Sequence, residues 1–420
     1  MPRKTSASLK QNLTLLDATA INIGAIVGAG IFVVTGIVAG LAGSAMVISL
    51  LLAALVSFFT ALSFAELAAF LPSEGGSYEF AYQLISPFAG FTAGWMWLLS
   101  NVFVGAALAL GFSQYLATFF PAIPVRLVAV AITVVFAILN VVGAKSSAQV
   151  NNVLVVAKLA ILAFFVAVGV GHIKAGNLQP FDPFQPGVLY GAYFVFFAFA
   201  GFARVTLLAA EVKEPRKNVP RSIMLALLIS TIVYFAVGVT AVGLAGPQKL
   251  ADSGSPLAAA ISVLGSGWMA QLVAAGGLIA TASVLLTTIL GVSRLSFAMA
   301  QRKALPSALG RLHQRFDTPY VAIAIGSLLM VLLVFVSDIA QVVAVSTLAS
   351  LAYYALGNVA ALRMPSRQYP SVVSWLGVIS CVGFSLFILV KTPEVWGIGA
   401  AMMAAGALYY YIVRRLSLPK

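Results

Sequence analysis

The chain has 420 residues, of which 61% are hydrophobic and only 8% charged, with a formal net charge of +13. Soluble globular domains carry about 25% charged residues, so the composition excludes a soluble enzyme or soluble binding module and assigns a polytopic membrane protein. The basic residues are spread over many short loops and form no stripe, so a nucleic-acid partner is not needed to explain the charge.

At ~20 to 25 residues for each span and its turn, the chain has room for about a dozen helices and little extramembrane structure. Residues 1–16, with Arg3, Lys4 and Lys10, read as a cytoplasmic N-terminal tail. The first apolar run, 17–42, is too long for a signal-peptide core and lacks a small-x-small cleavage site, so it is read as a retained span. In its middle stands Gly24-Ala25-Ile26-Val27-Gly28-Ala29-Gly30-Ile31-Phe32. Spanning helices satisfy their backbone groups internally, and bare backbone at bilayer depth is tolerated only where it is packed in protein or lines a cavity. This Gly-rich stretch therefore predicts a helix break at a binding site.

Further spans follow at 45–70, 86–116, 123–142 and 150–171, then 188–210, 222–246, 268–300, 320–336 and 339–362, and finally 372–390 and 395–413. The sixth of these twelve carries its own interruption, Phe197-Ala198-Phe199-Ala200-Gly201-Phe202-Ala203-Arg204. A single Gly-x-Gly in a membrane helix is ordinary close packing, but breaks matched at positions one and six are the mark of inverted repeats. They predict a first repeat over 17–172, a second over 187–362, and two appended helices over 371–414. With the N-terminus inside, the basic loops at 213–221, 302–315, 363–367 and 414–415 share its side, while Arg126, Lys174, Lys249 and Lys391 stand opposite. The positive-inside rule then puts both termini in the cytoplasm of a cell-membrane protein.

In the first break, Gly28, Ala29 and Gly30 leave room for an anionic group to reach their amides, as a carboxylate does at the start of a half-helix. The carbonyls before it, at Gly24, Ile26 and Val27, can accept from an ammonium. One broken helix thus offers complementary ends to the two charges of an α-amino acid. The sixth span adds Phe197, Phe199, Ala200 and Ala203 as an apolar side-chain pocket, with Phe202 read as aromatic packing. Neither break contains a carboxylate, which favours neutral amino acids.

Lys158 falls inside the fifth span, where an isolated lysine costs about 2.5 to 3.5 kcal/mol at helix centre. Either it snorkels to the nearby inner end, or it faces the bundle and exchanges a proton, with Ser283 and Thr287 on span eight as receivers. Arg204 cannot carry a proton at ordinary pH; it is expected to anchor geometry by capping carbonyls or pairing with Glu211 or Glu66, the latter also open to Arg294, with direct contact to the substrate as the alternative. Cys381 cannot form an intramolecular disulfide and reads as a small core or lipid-facing residue. His172 and His313 are too scattered for a metal cluster, no nucleophile, base and orienter grouping is present, and no cofactor is expected.

These residues resemble the permeases of the amino acid, polyamine and organocation superfamily. Gly24 to Phe32 looks like the family's first-helix signature. Glu66-Leu67-Ala68 with Pro72 to Tyr78 is similar to its second inner loop, and Phe199 to Phe202 through Glu211 to Pro215 and Val219-Pro220-Arg221 resembles its sixth helix and following loop. Arg294, Ala298-Met299-Ala300 and Leu305-Pro306 resemble the end of its eighth. The resemblance implies an all-α integral membrane fold of twelve helices, a LeuT-like five-plus-five inverted repeat with discontinuous helices 1 and 6, and alternating access. It implies a substrate carboxylate at Gly28, Ala29 and Gly30, an ammonium at the carbonyls of Ile26 and Ala200, and Phe197 as an aromatic gate. Lys158 matches the fifth-helix lysine of proton-coupled, sodium-independent members, beside Gly24, Val27 and Ser283. Several arginine and agmatine exchangers carry an acidic residue where this chain has Ala203, which argues against cationic substrates.

The leading expectation is proton-coupled symport of a neutral amino acid, with the substrate, the proton and the bilayer as partners and no obligatory protein partner. The alternatives are an obligatory exchanger in which Lys158 is a fixed charge, and a membrane amino-acid sensor that binds without transport.

Overall fold

The computed structural model describes residues 12–28, 30–72, 75–143 and 148–417. Among these the regular structure is helical apart from one isolated bridge between Leu13 and Val212. The first helix, α1 (Leu15–Ile26), starts at a capping box: Thr14 accepts from the Asp17 amide, and the Asp17 carboxylate accepts from the Thr14 amide. It stops where the sequence predicts, and a π-helical turn, Gly30–Val34, leads into α2 (Thr35–Ala42). Then come α3 (Met46–Phe70), α4 (Ser77–Leu84), α5 (Pro87–Ala117), α6 (Val125–Val142) and α7 (Ala148–Gly169). Next, α8 (Pro186–Phe199) is broken from a 3-10 turn, Arg204–Glu211, that bends at Leu208. The chain continues through α9 (Pro215–Ala245), α10 (Pro247–Ala251), α11 (Pro256–Ser262), α12 (Gly267–Gln301), α13 (Tyr320–Val336), α14 (Ile339–Leu362), α15 (Ser371–Lys391) and α16 (Pro393–Ser417).

Among the described residues ten helical runs are long and apolar enough to cross a membrane; the first, Leu15–Phe70, takes in α1, α2 and α3 together, and α13 is a shorter apolar helix. The predicted spans therefore fall on helices. The short helices α4, α10 and α11 fall between the predicted spans and carry no membrane-length apolar run.

Burial is inside out relative to a soluble protein. Leu127, Val134 and Ile138 on α6, Leu328 and Leu332 on α13, and Ile379, Val382 and Leu386 on α15 are all exposed. Apolar surface on that scale marks a lipid-facing perimeter. Inside it, α5 lies between α12 and α14, α3 between α8 and α9, and α1 against α7 and α9. Both interruptions thus sit at the centre of the bundle, enclosed by helices that satisfy what the breaks expose.

Beyond the end of α12, Arg302 pairs with the buried Glu79 of α4 at 2.7 Å and lies over the rings of Tyr78 and Tyr82 at 5.4 and 5.3 Å. Burial works against the Arg302 charge, but the hydrogen bond and charge of Glu79 prevail and raise it above its ordinary value. Glu66 is held by Arg367 at 3.6 Å and by the amides of Gln368 and Tyr369. The expected pairing of Glu66 with Arg204 or Arg294 is therefore corrected: the loop after α14 supplies its partners.

Candidate functional site

The end of α1 turns on Gly28. Its amide donates back to the Ile26 carbonyl at 2.7 Å, and the Val27 amide donates to Ile23 at 2.7 Å. A straight helix would have used the Gly24 carbonyl for the amide four residues on; the turn releases it, and the Lys158 ammonium donates to it at 3.0 Å. The second interruption meets the first directly. A Cβ on Gly201 would lie 2.5 Å from the carbonyl carbon of Ala25, and one on Gly30 would lie 2.4 Å from the Cβ of Ala198. Only glycine at these two positions lets the breaks touch.

Buried tyrosines hold them there. The Tyr234 hydroxyl of α9 donates to the Ile26 carbonyl at 2.6 Å and reaches the Ala198 carbonyl at 3.2 Å, bridging the end of α1 to α8. The Tyr354 hydroxyl of α14 donates to the Ala200 carbonyl, and Tyr115 of α5 donates to Phe32 at 2.6 Å. Asn22 caps the turn after the second break, its side-chain oxygen accepting from the Val205 amide at 2.9 Å. Sequence reasoning missed all four residues, since a tyrosine or asparagine in an apolar helix does not reveal its partner. Removing the Tyr234 hydroxyl as Tyr234→Phe should leave two carbonyls short of a donor. A loss of about 1–2 kcal/mol is expected, read as a lower apparent melting temperature in detergent.

Between the breaks lies a cavity of about 60 Å³. Ile26, Gly30, Phe197, Ala200 and Ala203 line it, together with Trp97, Asn101, Ser350, Tyr353 and Arg204. Gly28 and Phe199, expected in the site, are not in its lining. The Gly28 amide is spent on Ile26, and the Phe199 ring is fully buried, 5.0 Å from Tyr234. Ala29 lies outside the described residues. Phe202 packs as expected, its ring stacked on Tyr354 at 4.9 Å.

A second cavity, of about 370 Å³, adjoins the first and shares Ala25, Arg204 and Leu207 with it. It runs toward the end of the bundle that carries Leu13, Glu211 and Arg294, and Gly24, Ser283 and Thr287 line its wall. Lys158 lies behind that wall, 1% exposed, and also donates toward the Ser283 hydroxyl at 3.4 Å. The snorkelling alternative is thereby corrected, because the ammonium points into the bundle. No carboxylate among the described residues lies within ion-pair distance of it. Val27, grouped with Lys158 by sequence, is fully buried but donates its amide to Ile23. Arg204 is half-buried and makes no ion pair or side-chain hydrogen bond among the described residues, so the pairing expected with Glu211 is also corrected.

Among the described residues the site thus offers backbone groups, hydroxyls, amides and aromatic faces, with one cation and no carboxylate in the lining of the central cavity. It is equipped to hold a small polar molecule rather than to cleave one.

Comparison with known proteins agrees. A family model described as amino acid permease matches residues 13–413. An uncharacterized transporter of Mycobacterium tuberculosis is 35% identical, over 98% of this chain and 93% of its own length. A branched-chain amino acid permease of Bacillus subtilis is 33% identical, over 91% of this chain and 88% of its own. A methylthioribose transporter of the same organism is 32% identical, over 98% of this chain and 95% of its own.

Proposed function

The chain belongs to the amino acid permease family, a family of transporters rather than enzymes, and from that membership we propose that it is a secondary transporter that carries a neutral amino acid together with a proton by alternating access. The observation that carries the reading is the facing pair of helix interruptions around a cavity lined by Ile26, Gly30, Phe197 and Ala200.

Twelve crossings follow if the run Leu15–Phe70 counts as two and α13 as one, beside the other nine. A five-plus-five repeat is supported by one further correspondence. Lys158, on the fifth crossing, donates to the Gly24 carbonyl before the first break, and Tyr354, on the tenth, donates to the Ala200 carbonyl at the second. With the basic loops inside, both termini are cytoplasmic and the larger cavity leads inward. The substrate sits in the central cavity with its carboxylate toward Gly30 and its ammonium toward the Ile26 and Ala200 carbonyls, all three residues lining it. Those carbonyls already accept from tyrosine hydroxyls, and each oxygen has two lone pairs, so entry of the ammonium displaces or shares these bonds. The Phe197 ring closes over the apolar side chain.

Lys158 supplies the coupling. Protonated, it ties the end of α1 to α12 through the Gly24 carbonyl and Ser283; once the proton is lost, that tie loosens and α1 is free to move. No carboxylate among the described residues lies within ion-pair distance of its ammonium, and Gly24 and Ser283 border the inner cavity by which the proton leaves. Purified protein in proteoliposomes should accumulate alanine, leucine or another neutral amino acid under an inward proton gradient. Saturable binding without any flux would support a sensor instead.

A further inference from the structure

We infer that Arg204 is the charge filter of the pathway, a permanent cation at the neck between the two cavities that admits zwitterionic amino acids and bars those with a cationic side chain. The inference rests on the transport reading above and assigns one residue the choice of substrate class.

Three observations carry it. Arg204 is among the three residues common to the linings of both cavities, beside the apolar Ala25 and Leu207, so it stands where the two adjoin. Its guanidinium lies close to residues of both linings: a Cβ added to Gly291 of α12, in the inner cavity, would lie 3.3 Å from Arg204 Nη1 and 3.2 Å from the ring of Trp97 on α5, in the central one. The charge is also uncompensated, for no ion pair or side-chain hydrogen bond among the described residues engages it. An unpaired arginine inside a membrane bundle is costly and marks a pathway or ligand role. Unlike a lysine, it cannot shed the charge by losing a proton.

The surroundings do not offset the charge where it acts. Among the described residues the lining of the central cavity contains no aspartate or glutamate, and that of the inner cavity balances Glu211 against Arg294 as well as Arg204. A substrate ammonium group about 6 Å from the guanidinium, at an effective dielectric constant of about 20, is disfavoured roughly 100-fold. A zwitterion of the same shape carries no net charge and escapes most of that penalty.

Isosteric pairs test this without confusing charge with size. Norleucine and ornithine have side chains of equal length that end in a methyl and an ammonium respectively, as do norvaline and 2,4-diaminobutyrate, and the shorter pair suits a small cavity. The readout is the ratio, within one protein, of the concentrations needed to raise the apparent melting temperature and to block uptake of a neutral substrate. In the wild type the cationic member of a pair should need about 100-fold more. The ratio should collapse to below about 5-fold in Arg204→Gln and Arg204→Met. A wild-type ratio near one overturns the inference, as does an undiminished ratio in both neutral variants. Failure of every amino acid to bind or enter the wild type overturns the transport reading, and the inference with it.

Discussion

Lys158→Met should abolish accumulation while leaving the protein folded. A one-proton symporter under an inward gradient of about two pH units can concentrate its substrate up to about 100-fold, since each pH unit is about 1.4 kcal/mol; the variant should only equilibrate it. Methionine keeps an unbranched stem of similar volume, so packing around Val155 and Leu162 on α7 changes little. Such exchanges usually cost under ~1.5 kcal/mol. The change leaves the Gly24 carbonyl without its donor, a loss of about 1 kcal/mol, but it also removes the penalty of burying an unpaired ammonium. Stability should therefore remain within about 1–2 kcal/mol of the wild type, and a shift in the amino-acid response cannot be blamed on unfolding. Accumulation at the wild-type level would sink proton coupling through Lys158. Counterflow that runs without any gradient in the wild type, stops without internal substrate, and is lost in Lys158→Met would favour the fixed-charge exchanger.

The order of spans and the sites of both breaks were legible because each leaves a local mark. A run of apolar residues is its own evidence, and Gly28-x-Gly30 and Ala200-Gly201 interrupt such runs without needing a partner. Lys158 was legible as an anomaly, a cation where none is expected. The partners were not legible, because they join distant segments: Tyr234 to Ile26, Tyr354 to Ala200 and Glu66 to the Gln368 amide are contacts between helices far apart in the chain. Arg204 was misjudged for the same reason. Glu211 lies close in sequence, but the 3-10 turn with its bend at Leu208 does not bring the two side chains into an ion pair, whereas a regular helix would set residues seven apart on one face. Gly28 was assigned to the site for its open amide and Phe199 for its place in the second break, yet Phe199 lies against Tyr234 and the turn at Val27 folds the Gly28 amide back on the Ile26 carbonyl.

Gly201→Ala should cost far more function than its single methyl group suggests. The added Cβ would meet the Ala25 carbonyl carbon at 2.5 Å and its oxygen at 2.7 Å, both backbone atoms at the end of α1 that cannot rotate away. Relief requires the two interruptions to part by roughly 1 Å, the gap between these distances and an ordinary carbon contact of about 3.5–4.0 Å. Overpacking of this kind costs about 1–3 kcal/mol in stability. The displacement also acts on the Tyr234 bridge between Ile26 and Ala198 and on the cavity both breaks line, so substrate affinity should fall at least tenfold. Gly30→Ala should behave alike, and adding Ala198→Gly should rescue it only in part, because the Ala198 Cα still lies 2.5 Å from the new methyl. Gly383→Ala on α15 is the control: its Cβ meets nothing within 4 Å, and alanine in a helix interior gains about 0.5–1 kcal/mol over glycine. Binding and uptake in Gly201→Ala at the level of Gly383→Ala would mean that the breaks need not touch, and a site built from both would have to be abandoned.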